Sequence, residues 1–436
     1  MEKPRTTRAR GGAAAPQHSL SAKTLYNFAS YTRLYAVNPR LDRLESYPFQ
    51  KLSTLLAKAP QHDSLRPIPL YIGEPKHETP EFIKRALAEN LSGLALYPAT
   101  RGDAPLRQAI AGWLQKRYGL AAIDPDTQVL PVNGSREALF AIAQAVIDTT
   151  RSMHPIVVCP NPFYQIYEGA AILGHAAPAY LNNVAERNYA FDWDSLPKML
   201  WERVQLVYVC SPANPTGHVM SLDEWKALFE LSDRHDFVIA SDECYSEIYF
   251  DEDKPPLGGL QAAKQLGRTG YPRLVVFSSL SKRSNVPGMR SGFVAGDAAI
   301  LERFLLYRTY QGCAMSPPIQ AASIVAWQDE VHVVENRRLY REKFQTAFGI
   351  LGSSLDVAMP DAAFYLWART PISDTEFARR LWITQAVSVL PGSYLARDAH
   401  GTNPGTNRVR IALVSSTSEC AEAATRIREF AATLKK

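Results

Sequence analysis

Cysteine is scarce in this chain. The 436 residues include five cysteines, and none of them belongs to a Cys-x-x-Cys pair. Because no cysteine and histidine cluster has the spacing of a metal site, we expect no metal ion. Cys159 and Cys210 end apolar runs, which is typical of buried free thiols. An odd cysteine count without a disulfide framework is typical of a reducing compartment, and we therefore expect a cytoplasmic protein.

The sequence also lacks long apolar runs and a strong charge. No stretch approaches the roughly 20 apolar residues that a membrane-spanning helix needs. The net charge is only +5, and much of the excess lies in the first ten residues, at Lys3, Arg5, Arg8 and Arg10. No basic stripe marks a nucleic-acid surface. We expect neither a membrane nor a nucleic acid as a partner.

The N-terminal segment has an unusual composition. From Met1 to about Ser21 it is rich in arginine, alanine, glycine and proline, and it lacks the apolar centre of a secretory signal. Its arginine content loosely matches an organelle transit peptide. A disordered tail, or a start codon placed too far upstream, is the explanation that we favour. We predict a disordered tail over residues 1–37.

The rest of the chain alternates strand-like and helix-like segments. The predicted strands are Gln128–Val132, Ile156–Cys159, Leu206–Cys210, Phe237–Ala240, Leu274–Phe277 and Gly292–Ala295. Several are apolar without alternation, as expected for strands buried on both faces. This order predicts an α/β fold with a mostly parallel sheet flanked by helices. After about Pro318 a helix over Glu335–Phe348 and the short strands Phe364–Trp367, Val387–Leu390 and Arg408–Leu413 predict a smaller α+β domain.

These patterns predict a division of the chain. An N-terminal arm and helix over residues 38–68 would join the small domain. Residues 69–317 would form the large domain, and residues 318–436 the small one.

Polar residues follow three of the predicted strands at their carboxyl ends, where ligands bind in sheets of this kind. The residues that one crevice would collect are Asn214, Asp242, Tyr245, Ser279 and Lys282. Each has an ordinary explanation when taken singly: a turn at Asn214, a helix cap at Asp242, a solvated lysine at Lys282. Their order and their shared position at strand ends favour a functional site.

The same segments resemble the successive motifs of a known enzyme family. Asn214-Pro-Thr-Gly, Ser-Asp242-Glu-Cys-Tyr245, Ser279-Leu-Ser-Lys282 and Pro-Gly-Met-Arg290-Ser-Gly are similar to those of class I/II aminotransferases, from about Asn38 to the C-terminus. These enzymes are fold-type I pyridoxal-phosphate transferases. The resemblance implies a large domain with a mostly parallel seven-stranded sheet, a smaller α+β domain, and pyridoxal 5′-phosphate as cofactor.

The resemblance assigns chemistry to four residues. Lys282 would hold the cofactor as a Schiff base and then move the substrate's proton as a general base and acid. Asp242 would pair with the pyridinium nitrogen and keep it protonated. Asn214 and Tyr245 would hydrogen-bond the phenolic oxygen of the ring.

Other residues match the family's phosphate and ring contacts. Gly134, Ser135 and Arg136 open a helix, whose free N–H groups favour an anion, and a plain helix cap is the alternative that we weigh less. Ser279 and Arg290 would complete this site. Tyr164 matches the aromatic residue that stacks on the ring, with Phe163 as the alternative. Tyr97 matches a tyrosine that reaches the phosphate of the neighbouring subunit, which implies a homodimer with shared active sites.

Arg410 matches the arginine that grips the substrate's α-carboxylate through two parallel hydrogen bonds. Arg408 lies on the same strand face, so an error of two residues stays open. Gly73 matches a glycine whose backbone meets the same carboxylate, and an ordinary turn is its alternative.

The sequences of several segments are most similar to those of bacterial succinyldiaminopimelate aminotransferases of lysine biosynthesis. Among these segments are Tyr97-Pro-Ala-Thr-Arg-Gly and Gln311-Gly-Cys-Ala-Met. Glutamate would give its amino group to N-succinyl-2-amino-6-oxopimelate, a substrate with three carboxylates, and Arg101 and Arg283 are further candidate cations. The alternatives are an aminotransferase for aspartate, aromatic or other amino acids, and a C–S β-lyase. A ligand-sensing regulator would need a DNA-binding module, for which the segment before Asn38 is too short.

Overall fold

The computed structural model describes residues 37–60 and 62–434. These residues fall into two compact units, residues 37–45 and 46–434. The first contains the 3-10 helix Pro39–Arg43, which begins where the Asn38 side chain accepts a hydrogen bond from the Arg40 backbone N–H. The predicted disordered tail over residues 1–37 lies outside the described residues except at Val37.

The second unit contains twelve strands and fourteen α-helices among its described residues. The strands are β1 (Ile68–Pro69), β2 (Val129–Val132), β3 (Ile156–Asn161), β4 (Ala177–Asn182), β5 (Val204–Cys210), β6 (Val238–Asp242), β7 (Leu274–Ser279), β8 (Gly292–Gly296), β9 (Tyr365–Arg369), β10 (Val387–Ser388), β11 (Leu390–Pro391) and β12 (Arg408–Ala412). The helices are α1 (Pro48–Leu56), α2 (Glu81–Glu89), α3 (Ala104–Tyr118), α4 (Ser135–Val146), α5 (Ile166–Leu173), α6 (Lys198–Trp201), α7 (Leu222–His235), α8 (Gly259–Gln265), α9 (Leu280–Arg283), α10 (Ala298–Gln311), α11 (Pro317–Gln328), α12 (Val331–Leu351), α13 (Asp374–Gln385) and α14 (Thr417–Thr433). Short 3-10 helices cover Leu91–Ala95, Ala185–Arg187, Trp193–Ser195, Pro287–Met289, Gly352–Ser354 and Gly392–Leu395.

The main sheet has seven strands in the order β2-β8-β7-β6-β5-β3-β4. Its strands run parallel except for β8, which is antiparallel to both β7 and β2. This confirms the predicted α/β fold with a mostly parallel seven-stranded sheet.

Both faces of this sheet are buried, which explains why the strands read as continuous apolar runs. Along β3, Ile156 and Val158 pack into one apolar cluster with α3, α7 and α8. The intervening Val157 and Cys159 pack on the other face with α4, α5 and α10. Helices therefore cover both faces of the sheet.

The sequence prediction missed strand β4, at one edge of the main sheet. Of its six residues only Leu181 is buried, and Pro178 interrupts it. An edge strand needs no apolar residues on both faces, so it lacks the pattern that revealed the central strands.

The C-terminal part builds two small sheets. One is antiparallel, in the order β11-β12-β9, and the other pairs β1 with β10 in parallel. The predicted strand Val387–Leu390 is therefore two strands in different sheets. Helices α12, α13 and α14 share an apolar core with these strands. The domain boundaries at residues 68/69 and 317/318 stay predictions.

A membrane span was not expected from the sequence. In the part of the chain that the structure describes, no helix combines the length and the apolar character needed to cross a bilayer.

Candidate active site

A cavity of about 470 Å³ lies at the carboxyl edge of β5, β6 and β7. Most of the predicted site residues line it, and these are Gly73, Ser135, Arg136, Tyr164, Asn214, Asp242, Tyr245, Ser279, Lys282, Arg290 and Arg410. The residues come from segments far apart in the sequence, so the fold brings them together.

The parallel register of the central strands explains this convergence. Cys210 at the end of β5 pairs with Asp242 at the end of β6, and Asp242 pairs with Phe277 on β7. Asn214 lies shortly after β5, and Lys282 lies in α9, which follows β7 directly. Because neighbouring parallel strands end at one edge, the turns that follow them face the same space.

Lys282 points its amine into this cavity. Its Nζ donates a hydrogen bond to the Gly73 carbonyl oxygen at 2.5 Å and lies 5.2 Å from the centre of the Phe364 ring. Burial lowers the pKa of the Lys282 amine to about 8, because water is excluded from its charged form. A larger fraction of the amine is therefore neutral near neutral pH than in an exposed lysine.

Asp242 is a buried carboxylate at the end of β6. Its Oδ2 accepts a hydrogen bond from the Tyr167 hydroxyl at 2.6 Å, and its Oδ1 accepts one from the Cys244 backbone N–H at 3.3 Å. Burial raises the pKa of Asp242 despite these hydrogen bonds and the charge of Lys282. No cation lies within ion-pair distance among the described residues, so this carboxylate is suited to a cationic ligand.

Tyr245 is held by a tyrosine that the sequence did not single out. The Tyr245 and Tyr365 hydroxyl oxygens lie 2.9 Å apart. A β-carbon at Gly73 would overlap the Tyr365 side chain, so only glycine fits there. Tyr365 thus lies against both Gly73 and Tyr245.

Arg410 is fixed before any substrate arrives. Its Nη1 donates to the Asn214 side-chain oxygen at 2.9 Å, and its Nη2 donates to the Tyr71 carbonyl oxygen at 2.8 Å. Its guanidinium lies 4.4 Å from the centre of the Tyr365 ring. The Arg410 Nε is buried and has no hydrogen-bond partner among the described residues, which leaves a donor for an anion.

An anion cradle forms around the first residue of α4. Ser135 begins this helix, where backbone N–H groups are free, and Ser279, Ser281 and Arg290 line the cavity with it. A β-carbon at Gly134 would overlap the Arg290 guanidinium, and Gly134 also has a φ of +82°. The glycine therefore lets the arginine approach the helix start, although it does not itself line the cavity.

Tyr164, and not Phe163, belongs to the cavity. Phe163 is buried against Tyr180, with ring centres 5.5 Å apart. The Tyr164 hydroxyl oxygen accepts a hydrogen bond from Arg136 Nε at 2.6 Å.

Four predicted or candidate residues lie elsewhere. Tyr97 is fully exposed on the surface of this chain. Arg101 is exposed and donates to the Asp126 carbonyl oxygen, and Arg283 is buried in an ion pair with Glu330. Arg408 lies 5.8 Å from the centre of the Tyr189 ring, outside the residues that line the cavity. Neither Arg101 nor Arg283 is therefore available as a distal cation within this chain.

Several residues at the site escaped the sequence analysis. Tyr47, Glu74 and Tyr365 line the cavity, and Tyr167 bonds Asp242. Tyr167 stands three residues after the predicted site residue Tyr164, and this proximity in sequence was a usable signal. Nothing in the local sequence of Tyr47 or Tyr365 indicates that tertiary packing brings them here.

The chemistry of the cavity matches the parts of pyridoxal phosphate. The cofactor needs an amine for its aldehyde, a carboxylate for its ring nitrogen and an anion site for its phosphate. The partly neutral Lys282, the buried Asp242 and the cradle at Ser135 and Arg290 offer these three groups.

The chain is similar to known proteins over most of its length. The family model for aminotransferases of class I and II matches residues 66–427. An LL-diaminopimelate aminotransferase of Nitratidesulfovibrio vulgaris is 31% identical over 368 residues, which cover 83% of this chain and 90% of that protein.

Two solved structures have the same fold. An aminotransferase of Neisseria meningitidis is 52% identical with a TM-score of 0.87, over 90% of this chain and 100% of the other. A protein of Thermus thermophilus described as a probable N-succinyldiaminopimelate aminotransferase is 26% identical with a TM-score of 0.77, over 88% and 99%.

The matched family model spans most of the chain, and the neighbours cover nearly all of the described residues. Enzymes of this family transfer amino groups between amino acids and keto acids with the help of pyridoxal phosphate. This chain belongs to the class I and II aminotransferases and depends on pyridoxal 5′-phosphate.

Proposed function

We propose that this chain is an N-succinyl-LL-diaminopimelate transaminase of lysine and diaminopimelate biosynthesis. It would move the amino group of glutamate to N-succinyl-2-amino-6-oxopimelate and release 2-oxoglutarate. The names of similar proteins support a diaminopimelate-type substrate. The described cavity supports a substrate with more than one carboxylate.

Four residues perform the common chemistry in this proposal. Bound pyridoxal phosphate supplies a ring that withdraws electrons from the substrate's α-carbon. Asp242 holds a proton on the ring nitrogen, and Tyr245 orients the ring. The Lys282 Nζ takes the proton from the α-carbon as a general base and gives it up again as a general acid. Arg410 fixes the α-carboxylate, so that the α-carbon lies within reach of Lys282.

The observation that carries the substrate proposal is the position of Arg136. This arginine lines the cavity, its side chain is exposed, and its one hydrogen bond among the described residues runs from Nε to Tyr164. Both Nη atoms can therefore donate to a ligand. Arg136 is the second residue of α4, so its backbone faces the phosphate cradle while its guanidinium is free for a distal carboxylate.

A second candidate substrate is LL-diaminopimelate itself. The relative from Nitratidesulfovibrio vulgaris is described as acting on it. The distal end of LL-diaminopimelate carries an ammonium beside a carboxylate. Glu74 is exposed, lines the cavity and supplies the matching negative charge. In the succinylated substrate this nitrogen is an uncharged amide, so Glu74 would gain nothing from charge pairing.

The test compares how fast single amino donors convert the pyridoxal form of the enzyme. Purified enzyme in its pyridoxal form is mixed with N-succinyl-LL-diaminopimelate, LL-diaminopimelate, glutamate, aspartate, phenylalanine or alanine, and the cofactor's absorbance gives the rate constant. We expect glutamate and the succinylated donor to react fastest. If LL-diaminopimelate, aspartate or phenylalanine exceeds the succinylated donor by about tenfold or more, equal to about 1.4 kcal/mol, the succinyl proposal is wrong.

Variants of the two charged residues sharpen this test. A charge-assisted hydrogen bond contributes about 1.5–3 kcal/mol, so Arg136→Gln should slow the succinylated donor by roughly 10- to 150-fold. Alanine has no distal carboxylate, and its rate should stay within about threefold. Glu74→Gln should slow LL-diaminopimelate selectively, and Arg428→Gln, exposed on α14 and outside the cavity, is the matched control. An equal loss for alanine and the succinylated donor in Arg136→Gln would remove Arg136 from the distal site.

We also propose a homodimer with shared active sites. Leu91, Leu94, Leu96 and Tyr97 are all exposed on one short segment. Apolar side chains that cluster on a surface are typical of a protein interface. Tyr97 would then reach the phosphate held by a second copy.

A further inference from the structure

A chain of hydrogen bonds connects a buried lysine on α12 with the main chain of Lys282. Lys343 Nζ donates to His77 Nε2 at 2.5 Å, and His77 Nδ1 lies 2.7 Å from the Asn336 side-chain oxygen. The Asn336 side-chain nitrogen donates to the carbonyl oxygens of Lys282 and Arg283, at 3.2 and 3.4 Å. These residues lie outside the set that lines the cavity.

The direction of donation along this chain is fixed. A lysine ammonium has no acceptor, so His77 Nε2 accepts and the ring hydrogen lies on Nδ1. That hydrogen is donated to the Asn336 oxygen, which also accepts from the Asn285 side-chain nitrogen at 3.1 Å. Because two donors face the amide oxygen and two carbonyls face the amide nitrogen, only one orientation of Asn336 satisfies all four groups.

Lys343 has no carboxylate partner in this environment. It is only 2% exposed, and among the described residues no carboxylate lies within ion-pair distance of its amine. Its other contacts are the Val414 carbonyl oxygen at 3.1 Å and the face of the Tyr340 ring. A buried ammonium costs stability that an apolar side chain would not, so packing alone does not account for a lysine here.

Burial, together with the charge of Lys343, favours the neutral form of His77. Burial and the nearby Lys343 lower the pKa of His77, and burial lowers the pKa of Lys343 to about 8. The hydrogen bond with Asn336 and the charge of Glu335 raise the pKa of His77, but by less. Cys420 and Glu342 raise the pKa of Lys343, again by less than burial lowers it. A neutral imidazole that accepts at Nε2 and donates at Nδ1 is the form that the chain of hydrogen bonds requires.

The side-chain amine and the main-chain carbonyl of Lys282 both connect to the short segment from Gly73 to His77. The Gly73 carbonyl oxygen accepts from the Lys282 Nζ, and His77, four residues later, reaches the Lys282 carbonyl oxygen through Asn336. Lys282 lies in the four-residue helix α9, which has few internal hydrogen bonds to hold it. Its position therefore depends on contacts from outside the helix.

We propose that His77 and Asn336 are positioning residues for Lys282, and that the Lys343 amine selects the His77 tautomer that makes this possible. They hold the lysine main chain so that Nζ returns to one place at each proton transfer. The inference rests on the proposed role of Lys282 in proton transfer. It does not depend on which keto acid the enzyme accepts.

Substitution of His77 tests whether the hydrogen bonds of its two ring nitrogens are needed. His77→Phe keeps a ring against Tyr340 but removes both nitrogens. We expect kcat with glutamate to fall about tenfold or more while KM changes less than about threefold, because α-carboxylate binding at Arg410 is untouched. His77→Gln can accept from Lys343 and donate to Asn336, and it should keep kcat within about threefold of wild type. His154→Phe, at an exposed histidine, is the control.

A double variant separates positioning from stability. His77→Phe leaves the Lys343 ammonium without its partner, and adding Lys343→Met removes this charge. The double variant should recover thermal stability but not kcat. Recovery of kcat together with stability would overturn the proposal, as would a His77→Gln variant as slow as His77→Phe.

Hydrogen exchange provides a readout that does not depend on activity. In the loaded enzyme, amides of the peptide spanning residues 280–286 should exchange faster in His77→Phe than in wild type or His77→Gln. Unchanged exchange there would overturn the proposal. If labelling instead showed that another lysine binds the cofactor, the proposed role of Lys282 would fail, and the exchange data would still report on the connection from His77 to the main chain.

Discussion

Replacing Asp242 with asparagine tests the centre of the proposed chemistry without disturbing the fold. Tyr167 donates to the Asp242 carboxylate at 2.6 Å, and the Cys244 backbone N–H faces its other oxygen. An asparagine oxygen can accept one of these hydrogen bonds, and the Tyr167 hydroxyl can rotate to accept from the new amide. Because the side chains have nearly the same shape, Asp242→Asn should fold and should still bind pyridoxal phosphate.

The expected loss is in rate. The carboxylate is buried, and among the described residues no ion pair competes with a bound pyridinium for its charge. A hydrogen bond to a charged group contributes about 1.5–3 kcal/mol, which corresponds to about 10- to 150-fold, and a low-dielectric site favours the upper end.

A single-turnover half-reaction with glutamate measures this loss through the cofactor's absorbance and excludes effects of product release. The matched control is Tyr167→Phe, which removes one hydrogen bond but keeps the charge, and it should lose less. An Asp242→Asn variant within about threefold of wild type, well under 1 kcal/mol, would refute the placement of this carboxylate against the ring.

Two further predictions concern Lys282 and the dimer. In cofactor-free enzyme the Schiff base with pyridoxal phosphate should form faster as the pH rises through about 8, because only the neutral amine attacks and burial lowers the pKa of Lys282 to about 8. Absorbance follows the Schiff base, and Lys282→Ala should abolish its formation. Borohydride reduction that labels another lysine would contradict the assignment. Sedimentation at assay concentration should detect a dimer. Tyr97→Ala should weaken cofactor binding about tenfold, or about 1.4 kcal/mol, without dissociating the dimer. A fully active monomer would exclude a shared site.

The core of the fold was predictable because burial leaves a pattern in the sequence. Strands β3, β5, β6 and β7 read as apolar runs and were predicted to within two residues at each end. Strand β4 was not, because an edge strand with one buried residue leaves no such pattern. The prediction also joined β10 and β11, since Val389 between them is as buried as its neighbours and local sequence does not reveal a change of sheet.

For the site, too, the sequence predicts only those residues whose position follows from the local pattern. Asp242 ends β6, and Asn214 and Lys282 follow β5 and β7 within four residues, so the order of the elements was enough to bring them together. Tyr365 meets Tyr245 across 120 residues of sequence, and no short motif connects them. The choice between Arg408 and Arg410 depended on which residue the cavity reaches, and strand periodicity cannot separate two positions on one face.

The contacts of Arg410 have a consequence for affinity. A free arginine side chain loses about 2 kcal/mol of conformational entropy when it is held in one geometry. Here Asn214, Tyr71 and the Tyr365 ring already hold the guanidinium, so that loss belongs to folding rather than to binding. A carboxylate that enters the cavity therefore meets a rigid receptor and keeps more of its intrinsic interaction free energy. Simple dicarboxylates without an amino group should accordingly compete with substrate, since recognition of the carboxylate is complete before any chemistry begins.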